Sequence, residues 1–488
     1  MLFSQGAFRK RRLHFIGIGG IGMSGIAEIL LNLGYTVTGS DLRGSPVIER
    51  LRDLGANVHI GHAKEHLGDP EAVVASSAIP ADNVELAEAR KRKLPVISRG
   101  ELLAELMRVK YGVAVAGSHG KTSTASLCAA VLGAGAKDPT VVIGGRVATM
   151  GSNARLGKSD YLLVEADESD GSFLALDPII GVVTNIDREH MDHYGSIERL
   201  MQAFEDFANN VPFYGAAIVC ADDPLAKRLT DRVRRRCLTY GLHAVSPDAD
   251  VVADDVQLGR GVATFRLRRG SKDLGSFHVQ GVGLHTVRNA MAAILVGLEL
   301  EIPLELIRSG LADFDGVDRR FQQRGTEGGV TVIDDYGHHP TEIRTTLAAA
   351  ASCGYRTVNV IFQPHRYSRT KDLEEEFAGC FADCDRLWVV DIYSAGEDPL
   401  PGVCSPGLVD RIRHAGHAWA TYCSSMQDAV AQALDQTAAG DVLITFGAGN
   451  IWMAGEEFLK RARTRGEGSA GSCAGVGAPA SPKEARQL

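Results

Sequence analysis

Residues 113–124 read VAVAGSHGKTST: four alternating Val and Ala residues, then Gly117, Ser118, His119, Gly120, Lys121, Thr122 and Ser123. A helix-forming run from Ala125 to Leu132 follows at once. An apolar strand, a glycine turn and a helix in this order make a phosphate cradle. The amides of the turn and of the first helical turn point at the anion, and the helix dipole favours its negative charge. Lys121 supplies a point charge for the outer phosphates, and the Thr122 hydroxyl can ligate the Mg²⁺ that accompanies ATP. Val115 stands where the usual loop has its first glycine, so the motif is the shortened G-x-x-G-K-T. An ordinary glycine turn would leave the Lys-Thr pair unexplained.

A chain of 488 residues exceeds one hydrophobic core, and roughly three domains are expected. The net charge of −8 argues against nucleic acid as a partner. Nine cysteines are an odd number with no disulfide or zinc spacing; Cys380 and Cys384, the one close pair, read as buried reduced thiols, which fits a cytoplasmic setting. The basic residues 9–12 precede an apolar run, but that run holds five glycines and a histidine and ends without a cleavage site, so no leader is read there. No stretch has the apolar length of a membrane span, and a soluble protein with no membrane partner is expected.

Residues 13–18 read as a buried strand leading into Gly17, Gly19 and Gly22 at G-x-G-x-x-G spacing. A helix to about residue 33 and a second strand ending at Ser40 and Asp41 complete a Rossmann-like opening. The spacing indicates a diphosphate at a helix N-terminus and leaves the nucleotide open, with NAD the obvious reading. A connecting helix over residues 101–108 marks a boundary. Beyond the phosphate loop, the strand 160–165 ends in Glu165, Asp167, Glu168 and Asp170, four carboxylates that repel one another unless something positive sits among them; Mg²⁺ ligands are expected there. A strand at 179–184 runs into Asp187 and His190, a histidine that either ligates a second Mg²⁺ or caps the loop. His285 and Asn289, four apart on one helical face, either hold an adenine or simply line the helix. Arg319 and Arg320 lie near a second boundary. In the last third, polar clusters around Tyr336 and His338, and around Arg366 and Arg369, follow apolar strands, on the crevice side of an open α/β sheet. The expected architecture is α/β in three domains: residues 1–108 Rossmann-like, 109–325 a central P-loop ATPase domain, 326–465 a Rossmann-like C-terminal domain, and 466–488 a Gly/Ser/Ala-rich disordered tail. Three sheets with their loop ends facing one cleft would suit a reaction of three substrates.

Several separated motifs, HFIGIGGIGMSGIAEIL, AGSHGKTST, VEADESDGSF, TNIDREHMDHY, DDYGHHPTE, FQPHRYSRT and FGAGNI, together resemble the Mur ligase family over residues 12–460. The resemblance changes the reading of the first loop. Gly17, Gly19, Gly20, Ile21, Gly22, Met23 and Ser24 would bind the diphosphate of UDP-N-acetylmuramate, not NAD, with Ser40 and Asp41 toward the uridine. Gly117, Ser118, His119, Gly120, Lys121, Thr122 and Ser123 would hold the ATP phosphates. Thr122 and Glu165 would ligate Mg²⁺, and His190 a second magnesium. His285 and Asn289 would contact adenine, Arg320 would bridge to the phosphates, and Tyr336, His338, Arg366 and Arg369 would shape the amino-acid end. Lys121, Glu165, His190, Arg320, His338 and Arg366 are the implied catalytic groups.

The implied activity is ATP-dependent amide formation, adding L-alanine to the lactoyl carboxylate of UDP-N-acetylmuramate through an acyl phosphate, in cytoplasmic peptidoglycan precursor synthesis, by a monomer or homodimer. Domain closure is expected to keep water from the acyl phosphate. Ser118 and Ser123 replace threonines of the family loop and keep the hydroxyl. Leu284 and Thr286 replace an arginine and an asparagine, which implies weaker ATP contacts. The rival readings are a murein peptide ligase, which joins a peptide to the same sugar nucleotide, and a non-catalytic nucleotide sensor. GIGGIGMSGIA favours the alanine enzyme over the first, and the intact Lys121, Glu165, His190 and Arg320 argue against the second.

Overall fold

Val113, Ala114, Val115 and Ala116 are all buried, as a continuous apolar run in a parallel strand requires when helices cover both faces of its sheet. That strand, Tyr111–Ala116, is near the middle of a ten-stranded sheet in a computed structural model that describes residues 11–76, 78–147, 152–259 and 261–472. Its parallel neighbours are Tyr161–Glu165 on one side and Ile180–Val183 on the other. Ala216–Cys220 and Cys237–Leu242 extend the sheet in parallel beyond Ile180–Val183. Val251–Leu258, Val262–Arg269 and Lys272–Gln280 end it as a meander. The helices Lys121–Ala134 and Gly283–Glu299 share one core with one face of this sheet, and the helix Ile197–Asn209 packs on the other.

The first sheet has five parallel strands in the order Asn57–Ile60, Thr36–Asp41, Arg12–Ile16, Ala72–Ala75, Val96–Ser98. The strand order reverses at Arg12–Ile16, so the glycine loop that follows it opens at the switch point where such sheets bind ligands. This sheet and the central one belong to one compact unit that ends at Asp318.

The second unit starts at Arg319. Its sheet runs Gln322–Glu327, Val330–Asp335, Val442–Phe446, Val358–Phe362, Arg386–Val389, Ala420–Tyr422, with the first strand antiparallel and the others parallel. Gln322–Glu327 pairs with Val330–Asp335, so residues 319–325 go with this sheet and not with the central domain, where the sequence reading had placed them. The last helix extends over Trp452–Ser472, which corrects the expectation that regular structure stops at 465; residues 473–488 lie outside the described part. Cys380 and Cys384 are buried free thiols, as expected. Among the described residues no helix is long and apolar enough to cross a membrane.

Candidate active site

The phosphate loop demands glycine at two positions. Gly117 has φ 133°, and a Cβ there would lie 2.0 Å from Thr184 Oγ1; Gly120 has φ 79° and would meet Asn289 Oδ1 at 3.0 Å. Gly120 caps the helix Lys121–Ala134 and, having no side chain, leaves the amides of the first turn without a side-chain cap from the N-cap position. The loop is braced from the segment after Ile180–Val183. His119 N–H donates to Asn185 Oδ1 at 2.8 Å, Asp187 N–H donates to Ser118 Oγ at 2.8 Å, and His119 Nε2 lies 2.9 Å from Asp187 Oδ2.

The acids at the end of Tyr161–Glu165 and just beyond it have distinct partners. Lys121 Nζ donates to Glu168 Oε1 at 2.8 Å and to the carbonyls of Gly117 and Ser118 at 2.7 and 3.0 Å. Burial alone would lower the lysine pKa, but Glu168, Glu189 and Glu165 outweigh it and keep the ammonium charged. Burial pushes the Glu168 carboxyl up to about 7 against the pull of Lys121. Thr122 Oγ1 lies 3.0 Å from both oxygens of Glu165, and Glu165 Oε2 also accepts from Gly144 N–H at 2.6 Å. A hydroxyl and a carboxylate this close beside an open helix N-terminus form an oxygen donor set of the kind a hard divalent cation takes beside a phosphate. His190, in a left-handed conformation at φ 56°, places Nε2 3.7 Å from Glu168 Oε1. Ligand atoms of Glu168, Glu189 and His190 lie within 4.8 Å of one another. The resemblance assigns His190 to a second magnesium, apart from Glu165, and in the fold its acidic neighbours are Glu168 and Glu189.

On the helix Gly283–Glu299, Asn289 is buried and faces Gly120, so this helix is seated on the phosphate loop. Of the two departures from the family pattern, Leu284 is exposed, while Thr286 donates to Val282 O at 2.7 Å and packs on Gly281, giving it a local structural use. His285 is part-buried one turn before Asn289.

At the first glycine loop, the amides of Gly17 and Ile18 donate to Ser40 O at 2.8 and 3.1 Å, and Gly19 N–H donates to Asp41 Oδ2 at 2.9 Å. Met23 and Ser24 are buried in the helix Ile21–Asn32; the Ile21 side chain lies outside the described part. Ser40 does not lie open toward a uridine as the resemblance implies. Its side chain is fully buried and its hydroxyl donates to Glu85 Oε2 at 2.6 Å, so it supports the loop from behind and does not present itself to a ligand. Glu85, also fully buried, gathers His14 Nε2 at 3.1 Å and Ala63 N–H at 3.1 Å as well. Burial would raise its carboxyl pKa, but these hydrogen bonds hold it below the usual range.

The sequence reading also missed Arg99. Its Nη2 donates to Asp167 Oδ2 at 2.9 Å, and a Cβ on Gly22 would lie 2.9 Å from its Nη1. Burial would raise the Asp167 pKa, but Arg99 and Ser169 hold it low. Nothing around residue 99 marks this arginine in the sequence, because both of its partners come from other segments.

In the second unit, Tyr336, His338 and Arg369 converge around His365. The His338 ring is 5.4 Å from Tyr336 and 6.0 Å from His365, and Arg369 Nη1 is 3.3 Å from His365 Nδ1. His365 stacks on Tyr393 at 5.5 Å, and burial together with the positive neighbours His338, Arg369 and Arg366 pushes its pKa down to about 3. Arg366 is exposed at φ 71°, with its N–H donating to Tyr393 O at 2.8 Å. Arg319 ties strand ends together, donating to Asp334 Oδ2 at 2.9 Å and to the carbonyls of Gly447 and Gly449 at 2.6 and 3.1 Å. Arg320 lies over the Tyr336 ring at 5.3 Å with Glu342 3.4 Å away.

Three family models match the chain: the Mur ligase family catalytic domain over residues 12–111, the Mur ligase middle domain over 115–297, and the Mur ligase glutamate ligase domain over 319–449. A UDP-N-acetylmuramate–L-alanine ligase of Solibacter usitatus is 55% identical over 94% of this chain and 97% of its own length. The enzyme of the same name from Koribacter versatilis is 53% identical over 93% and 97%. Among solved structures, the UDP-N-acetylmuramate–alanine ligase of Thermotoga maritima superposes with a TM-score of 0.77 at 27% identity, covering 93% of this chain and all of that one.

Proposed function

The chain belongs to the Mur ligase family, and from that premise we propose that it is an ATP-dependent amide ligase that joins L-alanine to the lactoyl carboxylate of UDP-N-acetylmuramate. The observation that carries the reading is the placement of Lys121, Thr122 and Glu165 around an open helix N-terminus, in a chain half identical to alanine ligases over nearly its full length.

A carboxylate is a poor electrophile, and phosphorylation gives it a leaving group. A lactoyl carboxylate oxygen attacks the γ-phosphorus and ADP departs. The alanine amine then attacks the carbonyl carbon of the acyl phosphate, and phosphate leaves from the tetrahedral intermediate. The loop amides and Lys121 hold the phosphates and offset the charge that develops on the transferring phosphoryl group. Mg²⁺, held by Thr122 and Glu165, would add Lewis-acid neutralisation of the same oxygens. His190 with Glu168 and Glu189 is the group for a second magnesium. Asn289 and His285 belong to the nucleotide side. The first glycine loop and Asp41 serve the sugar nucleotide, with Ser40 acting through its backbone. Arg320 bridges to the phosphates, and Tyr336, His338, Arg366 and Arg369 serve the amino-acid end. The functional modules are residues 1–108, 109–318 and 319–472, and the setting is the cytoplasm, in peptidoglycan precursor synthesis.

The test is phosphate release from ATP and Mg²⁺ with UDP-N-acetylmuramate, with and without L-alanine, followed by product mass. Release that needs both substrates and yields the alanyl adduct is expected. Release with a tripeptide but not with alanine would move the chain to the murein peptide ligases, and nucleotide binding without any release would make it a sensor.

A further inference from the structure

We propose that Arg99 is a positioning residue that couples the sugar-nucleotide loop to the acid segment of the ATP site. It stands at the first residue of the helix Arg99–Met107, whose start is fixed by a capping box: Ser98 Oγ accepts from Glu101 N–H at 3.1 Å, and Ser98 N–H donates to Glu101 Oε2 at 2.6 Å. The helix is pressed onto the acid segment, because a Cβ on Gly100 would lie 2.4 Å from the Ser172 Cβ. From this anchored position the guanidinium reaches two ways. One edge lies against the first turn of Ile21–Asn32, with Cδ and Nη1 both 2.9 Å from where a Gly22 Cβ would be. The other edge holds Asp167 at 2.9 Å. The glycine at position 22 therefore makes room for an arginine, at the helix end that the G-x-G-x-x-G spacing marks for a diphosphate.

Asp167 lies between Glu165, which Thr122 contacts, and Glu168, which holds Lys121. A charge arriving at the first loop acts on the Nη1 edge of a planar, rigid fork whose other edge fixes this segment. The first-loop ligand and the acid segment of the ATP site thus draw on one cation, which links the affinities of the two ligands reciprocally. The inference rests on the reading of the first loop as the UDP-N-acetylmuramate site.

The experiment is titration calorimetry on the full chain, measuring UDP-N-acetylmuramate binding with and without Mg²⁺ and a non-hydrolysable ATP analogue. In the unmodified protein the two affinities are expected to differ by about 5-fold or more, and in Arg99→Ala by less than about 2-fold. Asp167→Asn breaks the same ion pair from the other side and should flatten the ratio equally, which keeps the test intact if Arg99→Ala does not fold. Arg99→Lys, with one point charge in place of a fork, should recover only part of the ratio. A residue that merely supports the fold would weaken both affinities and leave their ratio alone, and that result overturns the inference. An unmodified protein with a ratio of one overturns it too. If the unmodified protein binds the nucleotide but not UDP-N-acetylmuramate, the assignment of the first loop fails and the inference falls with it; binding of both with a ratio untouched by Arg99→Ala removes the inference alone.

Discussion

Lys121 and Glu168 form a buried ion pair, Nζ to Oε1 2.8 Å, with the Glu168 side chain 1% exposed. The acids that follow Tyr161–Glu165 do meet positive charge, and the chain itself supplies it through Lys121 and Arg99. Removing the ammonium as Lys121→Ala takes away one donor to the transferring phosphoryl group, and turnover is expected to fall roughly 10³-fold. The fold should survive, because Glu168, already raised to about 7 by burial, can take a proton once its partner is gone. Phosphate release and a thermal melt check the two halves; a fully active Lys121→Ala would remove the phosphate-loop assignment.

Thr122→Ala deletes the hydroxyl that lies 3.0 Å from both Glu165 oxygens. The Mg²⁺ concentration for half-maximal activity is expected to rise about 10- to 100-fold or more, since even a group that only orients a metal ligand is worth that range. Thr122→Ser keeps the hydroxyl and should stay close to the unmodified enzyme in the same magnesium titration.

Gly117→Ala would put a methyl 2.0 Å from Thr184 Oγ1 at φ 133°. Strain at such a position costs about 1–3 kcal/mol, and relieving it displaces the loop that carries the phosphate amides. Denaturant melts should show the loss of stability and nucleotide titration the loss of affinity; an unchanged protein on both would contradict the loop geometry.

Ser40→Ala separates support from contact. The hydroxyl is 2.6 Å from a fully buried carboxylate, and losing it should lower stability by about 1–3 kcal/mol. The KM for UDP-N-acetylmuramate should stay nearly constant. A large rise in KM at unchanged stability would return Ser40 to the list of direct contacts.

His365 sets a pH dependence. The fold holds the ring neutral, with its pKa pushed down to about 3 by burial and cationic neighbours, whereas the unfolded chain titrates near the ordinary 6.5. Between those values the unfolded state binds the proton that the fold refuses, so this group costs nothing above 6.5 and destabilises increasingly as pH falls toward 3. Denaturant midpoints of His365→Gln and the unmodified protein should therefore draw together at neutral pH and diverge in favour of the variant below 6.5.

The local elements were legible. Alternating Val and Ala into a glycine turn, an apolar strand ending in acids, and polar clusters after strands are short-range signals, and the structure places the strands and helices that carry them within a few residues of where the sequence predicts them. Gly117, Gly120 and Thr122 were nameable from the residues alone, while Glu165 beside Thr122 and the group of Tyr336, His338 and Arg369 were singled out by the family resemblance. The partners were not. That Lys121 pairs with Glu168, Arg99 with Asp167 and Ser40 with Glu85 depends on which strands are neighbours: Tyr111–Ala116 lies between Tyr161–Glu165 and Ile180–Val183, although both come later in the chain. Likewise Gln322–Glu327 joins the last sheet only through its ladder with Val330–Asp335, a pairing with no local mark. Periodicity and turn chemistry act over a few residues and so can be read along the chain. Burial and ion pairing are settled by segments tens of residues apart, and only packing brings those together.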